Sequence, residues 1–301
     1  MVNRFRRSIS FSNPSHSRPS PPQEKKFHVR STSLPCRSHP LFSRLNDEIS
    51  ELRTWASSQS QPQTRTSAWL CDGLSRLVSI LDSLDDVLQL SQTQDSLRTR
   101  TVWLEKLLED FFSYLDAYGA FQNLLLTLKE ELSAAQVGLR RKDESKVVLF
   151  VKFQRKLVKE MSKLLSAVRS VNCRPELESD GDVELAKTLV NIKEVTAGVS
   201  VELFSGILSP FAANKKASWI GLRLSGQAKR SKLEESGIQE FEEAGVERLW
   251  NLRKKSEEEV RLVLKKMQNL EGCVCDIESG SEKVLRRLIH TRVSLLNILT
   301  Q

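Results

Sequence analysis

Very little in this sequence interrupts a helix. Its 301 residues include only 12 glycines and nine prolines. Pro14, Pro19, Pro21, Pro22 and Pro35 fall in the first forty residues, with Pro40 at their edge. Aromatic residues make up 6% of the chain. Histidine is scarcer still: His16, His28 and His39 sit near the amino terminus, and His290 stands alone beyond them. The five cysteines, Cys36, Cys71, Cys173, Cys273 and Cys275, are odd in number and scattered. No signal-peptide-like apolar run precedes them, so a reducing compartment is expected.

These scarcities remove most kinds of chemistry. No Cys-x-x-Cys pair exists, and Cys273 and Cys275 would point to different sides of a helix, so no metal site is predicted. Neither a G-x-x-x-x-G-K-[ST] loop nor a G-x-G-x-x-G loop is present to cradle phosphate. No cofactor is therefore expected. His290 lies beside Arg286, Arg287 and Arg292 and reads as a surface histidine rather than a base. The pairs Asp85–Asp86 and Glu130–Glu131 and the run Glu257 to Glu259 read as solvated helix faces. No catalytic residue is predicted, and the chain is read as a non-enzyme.

What is abundant is Leu, Glu, Lys, Arg and Ser, the composition of long helices rather than of sheets. Apolar residues reach 39%, enough to bury a sizeable core. The net charge of +8 is unevenly placed. Residues 1–40 hold eight Lys or Arg against the single acid Glu24, which leaves 38 basic and 37 acidic residues for the body. The body reads as near neutral and the tail as basic. Nucleic acid is not an expected partner, because the surplus lies on a tail, without aromatic interleaving or a basic motif on a folded face. An anionic membrane, an acidic partner or a targeting role fits that placement better.

Two regions follow. Residues 1–40 are a Ser/Pro-rich basic tail that cannot bury enough apolar surface to offset its ordering entropy, and are expected to be disordered. Arg/Ser enrichment with no acid before Glu24 also matches an organellar transit peptide, the alternative to a plain solvated tail in a cytoplasmic or membrane-peripheral protein. Residues 41–301 read as one all-α domain, an elongated bundle of five to seven long helices with coiled-coil-like seams.

The helices announce themselves by period. Pro40 suits a first turn, and Leu41, Leu45, Ile49 and Leu52 form the first stripe. Ser57–Thr66 reads as a loop, and Ser67 as the cap of a second helix whose seam is Leu70, Leu74, Leu77, Leu81, Leu84 and Leu88. Ser91–Thr101 reads as another loop. From Val102 to Leu139 a wide apolar arc (Leu104, Leu107 or Leu108, Phe111, Leu115, Tyr118, Phe121 or Gln122, Leu125, Leu128, Leu132) predicts a central helix. Arg140–Asp143 is a charged joint. The next helix, about Glu144 to Val171, turns Val147, Phe150, Val151, Phe153, Leu157, Met161, Leu164, Leu165 and Val168 inward. Its other face carries Lys146, Lys152, Arg155, Lys156, Lys159, Lys163 and Arg169.

Asp182 is a predicted cap for a fifth helix with the stripe Leu185, Leu189, Ile192, Val199, Leu203 and Ile207. Ser209–Pro210 is predicted to stop it. An irregular basic connection over about 209–232 follows, with Lys215, Lys216, Arg223, Lys229, Arg230 and Lys232 around Trp219 and Ile220. Val195–Ala213 is the most apolar window and reads as a buried core helix, with a membrane segment as the alternative. The last pattern runs from Leu249 and Leu252 through Val260, Val263, Met267, Leu270, Val274, Ile277, Val284, Leu288 and Leu295 to Leu299. Gly272 and Gly280 are expected to bend or break it, at about 1 kcal/mol each relative to Ala.

The most conspicuous short motif is Arg30-Ser31-Thr32-Ser33-Leu34-Pro35. Phosphorylation of Ser33 would produce the R-S-x-S-x-P pattern read by arginine-lined adaptor pockets, so Arg30, Ser31, Ser33 and Pro35 form a candidate adaptor motif. Ser8, after Arg4-Phe5-Arg6-Arg7, is a second candidate phosphosite. Arg4, Arg6, Arg7, Lys215, Lys216, Lys229, Arg230 and Lys232 are candidate contacts to an anionic surface.

The stretches Phe27 to Pro35 and Arg37-Ser38-His39-Pro40 resemble the opening of a plant family related to the BYPASS proteins. Leu285-Arg286-Arg287-Leu288-Ile289-His290-Thr291-Arg292-Val293-Ser294-Leu295-Leu296-Asn297-Ile298-Leu299 is similar to the family's closing helix, and Trp69–Leu90 and Gln154–Lys163 agree. The resemblance spans Phe27 to Leu299 and implies an all-helical protein associated with root and shoot development. It carries no catalytic or binding residues over to this chain. Two functional readings result: a helical interaction or regulatory protein that meets protein partners through its amphipathic helices, and a peripheral membrane protein held by its basic segments.

Overall fold

Pro40 begins the first helix, where its fixed φ is pre-organised and its missing N–H costs nothing. The computed structural model describes residues 39–57, 65–171, 183–217, 237–243 and 256–300, with backbone alone for 213–217. Every element among them is a helix: α1 (Pro40–Ser57), α2 (Ser67–Leu88), α3 (Ser91–Arg98), α4 (Thr101–Arg141), α5 (Glu144–Ser170), α6 (Val183–Ala217), α7 (Gln239–Glu243) and α8 (Glu257–Thr300). Six are long, and α3 and α7 are short.

Within the unit Ser38–Gln301, the long helices pack in the order α1, α2, α8, α4, α5, α6, with α6 closing back on α1 and α2. α4 and α8 run antiparallel, as successive bonds show: Gln136 to Glu271 (2.8 Å), Lys129 to Glu278 (2.6 Å) and Gln122 to Ser281 (2.7 Å). α2 runs parallel to α8, joined by Asp82–Arg287 (2.8 Å) and by the Ser294 hydroxyl donating to Asp85 (2.6 Å).

The predicted seam of α2 is buried from Leu70 to Leu88, and the α4 arc is buried as its width requires. In α4 the inward aromatic is Tyr114, and Leu115 is only partly buried. Phe111, Tyr114, Tyr118 and Phe121 are fully buried. Phe121 and Tyr118 meet Phe204 of α6 at ring-centre distances of 5.1 and 6.0 Å. Such rings each remove roughly 150–250 Å² from water, so they fill much of the core where α4 faces α6.

The charged joint after α4 turns on Lys142, whose φ of 55° is the one positive value at a non-glycine among the described residues. Asp143 then caps α5, its carboxylate accepting from the Ser145 amide (3.0 Å) and hydroxyl (2.6 Å). Those bonds hold the Asp143 carboxyl below the usual carboxylate range. Gly138 is required here, because a Cβ would lie 2.8 Å from that of Lys146.

Several expectations are corrected. The cap of α2 is Thr66, which accepts from the Trp69 amide, and Ser67 is the first helical residue. The span Ser91–Thr101 is not a simple loop: it contains α3, anchored by buried Thr93 and Leu97. Gly272 and Gly280 do not break α8. Gly272 faces open space, and Gly280 sits where a Cβ would be 3.0 Å from Leu74 Cδ1, so its small size lets α8 approach α2. Asp182, Trp219, Ile220, Leu249 and Leu252 lie outside the described residues.

The largest correction concerns Pro210. α6 does not stop there but continues to Ala217, so the irregular connection does not begin at 209. Proline removes the bond that residue 210 would donate to the carbonyl of residue 206. That carbonyl is not left empty: the Ile238 amide donates to Gly206 O at 3.0 Å. A Cβ on Gly237 would lie 2.5 Å from Pro210 Cγ, so glycine permits the close approach. α6 is also, among the described residues, the one helix long and apolar enough to cross a membrane, with an 18-residue window of mean hydropathy 1.4 within Val183–Ala212. Yet 61% of that window is buried, and Val199, Leu203, Phe204 and Ile207 belong to the common core.

Candidate functional site

The tail residues Arg4, Arg6, Arg7, Ser8, Arg30, Ser31, Ser33 and Pro35 lie outside the described residues, as do Lys229, Arg230 and Lys232. Lys215 and Lys216 fall in the last turns of α6, where only the backbone is described. Those candidates therefore lie outside the geometry that follows. What the structure does assemble came from residues far apart in sequence.

One assembly is a strap formed by residues 237–243. Gln239 donates its amide to Arg65 O (2.8 Å), next to the Ile238–Gly206 bond. Glu240 then accepts the Ser67 amide (3.1 Å to each carboxylate oxygen) and the Ser67 hydroxyl (2.8 Å). A carboxylate on the first amide of α2 satisfies an orphan donor and complements the positive end of the helix dipole. Phe241 is buried against Phe211, and Glu243 reaches Lys266 of α8 at 3.8 Å. The strap thus ties α2, α6 and α8 together.

Beside it, an open cleft of about 470 Å³ runs between α2 and α8, lined by residues that include Ala68, Cys71, Ser75, Asp276, Ser279 and Lys283. Burial, then the charges of Asp276, Cys273 and Glu240, push the Cys71 thiol up to about 11. Burial likewise pushes Cys273 up. Both stay protonated near neutrality, the opposite of an activated nucleophile. Among the described residues no group of three or more His, Cys, Asp or Glu could hold a metal ion.

Ser, His and Asp do meet at one place. His290 Nδ1 lies 3.3 Å from Asp85 Oδ1, and Ser294 donates to that same oxygen. The serine proton is directed to the carboxylate rather than to the imidazole, which is not the order a Ser–His–Asp nucleophile uses. The cluster joins α8 to α2.

In the interior, Lys193 and Asp110 pair at 2.6 Å beside a cavity of about 10 Å³, and the Tyr114 hydroxyl donates to Lys193 O (2.9 Å). Gln154 is buried on α5 with neither amide atom hydrogen-bonded.

The outer surface carries two distinctive faces. On α8, Ile289, Val293 and Leu296 follow at spacings of four and three and are 49%, 48% and 37% exposed. Arg292 reaches across to lie 4.9 Å from the ring centre of Phe112 on α4, itself 52% exposed. Ile289, Val293 and Leu296 thus form an exposed apolar row on α8, and Arg292 lies between that helix and exposed Phe112 of α4. The second face, on α5, is basic.

The geometry defines an all-α bundle whose outward faces differ sharply in character. A family model described as Protein BPS1 matches residues 73–298, from α2 almost to the end of α8, and the chain belongs to that family. Neither a curated protein nor a solved structure matches it. Membership supports a plant development-related protein of unknown biochemical function.

Proposed function

We propose that the chain acts as a helical interaction protein in root and shoot development, engaging an amphipathic helix of a protein partner along the α4–α8 seam. The observation that carries this reading is the exposed apolar row of Ile289, Val293 and Leu296 on α8, with exposed Phe112 on neighbouring α4. Apolar side chains at helical spacing on an outer face are the usual anchors for a partner helix. Arg286 and Arg292 border the row and would favour an acidic rim on that partner. Phosphorylation of Ser33 would add a separate contact to a phosphoserine-reading adaptor, independent of the seam.

The test is affinity purification from plant tissue with the native chain and with an Ile289→Asp/Val293→Asp variant, quantified by mass spectrometry. The reading expects a defined set of proteins to be lost from the variant while its circular dichroism stays native. Retention of every protein captured by the native chain would refute it.

A further inference from the structure

The charge of the bundle is close to neutral in total but is not evenly spread. α8 carries seven basic and seven acidic residues, and α2 carries Arg76 against Asp72, Asp82, Asp85 and Asp86. α5 is different. It holds Lys146, Lys152, Arg155, Lys156, Lys159, Lys163 and Arg169 against only Glu144 and Glu160.

Besides Arg169 near its end, the exposed cations of α5 are the five Lys152, Arg155, Lys156, Lys159 and Lys163. At the helical rotation per residue they lie within an arc of about 100° and extend over about 16 Å. The opposite side of α5 buries Phe150, Leu157, Met161 and Val168 against α4 and α6, so the stripe faces outward. Lys163 pairs with Glu160 at 2.8 Å in an exposed contact. Among the described residues, Lys152, Arg155, Lys156 and Lys159 have no carboxylate within ion-pair range. Hydrogen bonding to Lys163, and then the charges of Lys163, Lys159 and Lys156, hold the Glu160 carboxyl below its ordinary range. Like charges four residues apart, as at Lys152–Lys156 and Arg155–Lys159, disfavour the helix itself. An anion supplied from outside relieves that conflict.

The neighbours of the stripe indicate which anion. One turn before Lys152, Val148 and Leu149 are 39% and 56% exposed on the same side. No aromatic side chain lies among the cations to stack on a base, as a nucleic-acid face would require. Four of the five cations are lysines, point charges rather than the planar forks that read a specific phosphate or carboxylate. Several point charges in one plane with two apolar side chains beside them match a sheet of phosphate headgroups over hydrocarbon.

We propose that the outer face of α5 docks on an anionic glycerophospholipid bilayer surface. The five cations sit at headgroup level, and Val148 and Leu149 enter the interface. This contact is separate from the α4–α8 seam, which remains free for a protein partner.

The experiment is co-sedimentation of the full chain with phosphatidylcholine vesicles and with mixed phosphatidylcholine–phosphatidylserine vesicles. A Lys152→Gln/Lys156→Gln/Lys159→Gln variant keeps the same tail, so any difference reports α5. Each cation lost should lower binding to the anionic vesicles about fivefold, roughly a hundredfold for all three. Native binding should weaken as ionic strength rises. Leu149→Glu should lower binding by at least about tenfold, while Leu262→Glu, on exposed α8, should leave it unchanged. Three results would each overturn the proposal: equal binding by native chain and triple variant, unchanged binding by Leu149→Glu, or a triple variant that loses binding to duplex RNA or poly-glutamate but not to vesicles.

Discussion

Replacing Glu240 by alanine is expected to destabilise the whole bundle, although the residue sits in a five-residue helix at its edge. Its carboxylate takes two donors of Ser67, the amide and the hydroxyl. Ser67 is itself buried, so water cannot fully replace the lost acceptor. A hydrogen bond to a charged group contributes about 1.5–3 kcal/mol, and a charge at a helix start about 0.3–1 kcal/mol more. With Glu240 only partly buried, the lower ends apply, giving a loss of roughly 2–4 kcal/mol. For a domain of this size that is a fall of about 4–16 °C in Tm. Glu240→Gln keeps one acceptor and should lose about half as much. The assay is thermal and urea unfolding followed by circular dichroism, with hydrogen exchange at the Ile238 and Gln239 amides. Both amides should exchange faster in Glu240→Ala, because the strap has lost its anchor on α2. An unchanged Tm with unchanged exchange at both amides would refute the claim that the strap holds α2 and α6 together.

Two glycines offer an internal contrast. Gly73→Ala places a Cβ 2.3 Å from the Trp55 ring, and should cost about 1–3 kcal/mol in urea unfolding as the stacked Trp55–Trp69 pair shifts. Gly272→Ala meets nothing within 4 Å and should stabilise by about 0.5–1 kcal/mol. Gln154→Met removes a buried amide without partners and should raise stability by about 1–3 kcal/mol, a gain that calorimetry would detect. The folded Cys71 thiol sits at about 11 against 9.0 ordinarily. Because the fold favours the protonated form, its contribution is complete below pH 9 and is lost as pH rises toward about 11. The Tm of the native protein should therefore fall faster across that window than that of Cys71→Ser, and iodoacetamide at pH 8 should label exposed Cys275 well before Cys71.

The long helices were legible in the sequence because their leucines keep a strict period. The α2 seam, the α6 stripe and most of α8 needed no other information. α3 was hidden because Leu97 is its only large apolar residue, and its other anchor is Thr93, a polar side chain buried by context. Leu115 looked like the natural inward residue of α4, but Tyr114 occupies the core and sends its hydroxyl to Lys193 O. Pro210 reads as a stop in any single-segment view. What lets α6 continue is an amide 28 positions later, and Glu240 meets Ser67 across a separation of 173 residues. No local pattern reports such pairings. The basic face of α5 was legible as well, because its lysines and arginines fall opposite the apolar stripe. That Lys152, Arg155, Lys156 and Lys159 have no carboxylate in range among the described residues required the structure.

The carbonyl that Pro210 frees on α6 has a topological consequence. Its bond to Ile238 fastens the strap to the interior of a helix rather than to an end, since Gly206 lies eleven residues before Ala217. Helix ends fray first. Fraying of the last turns of α6 would therefore leave this fastening in place, and the junction of α2, α6 and α8 should outlast the end of the helix that carries it.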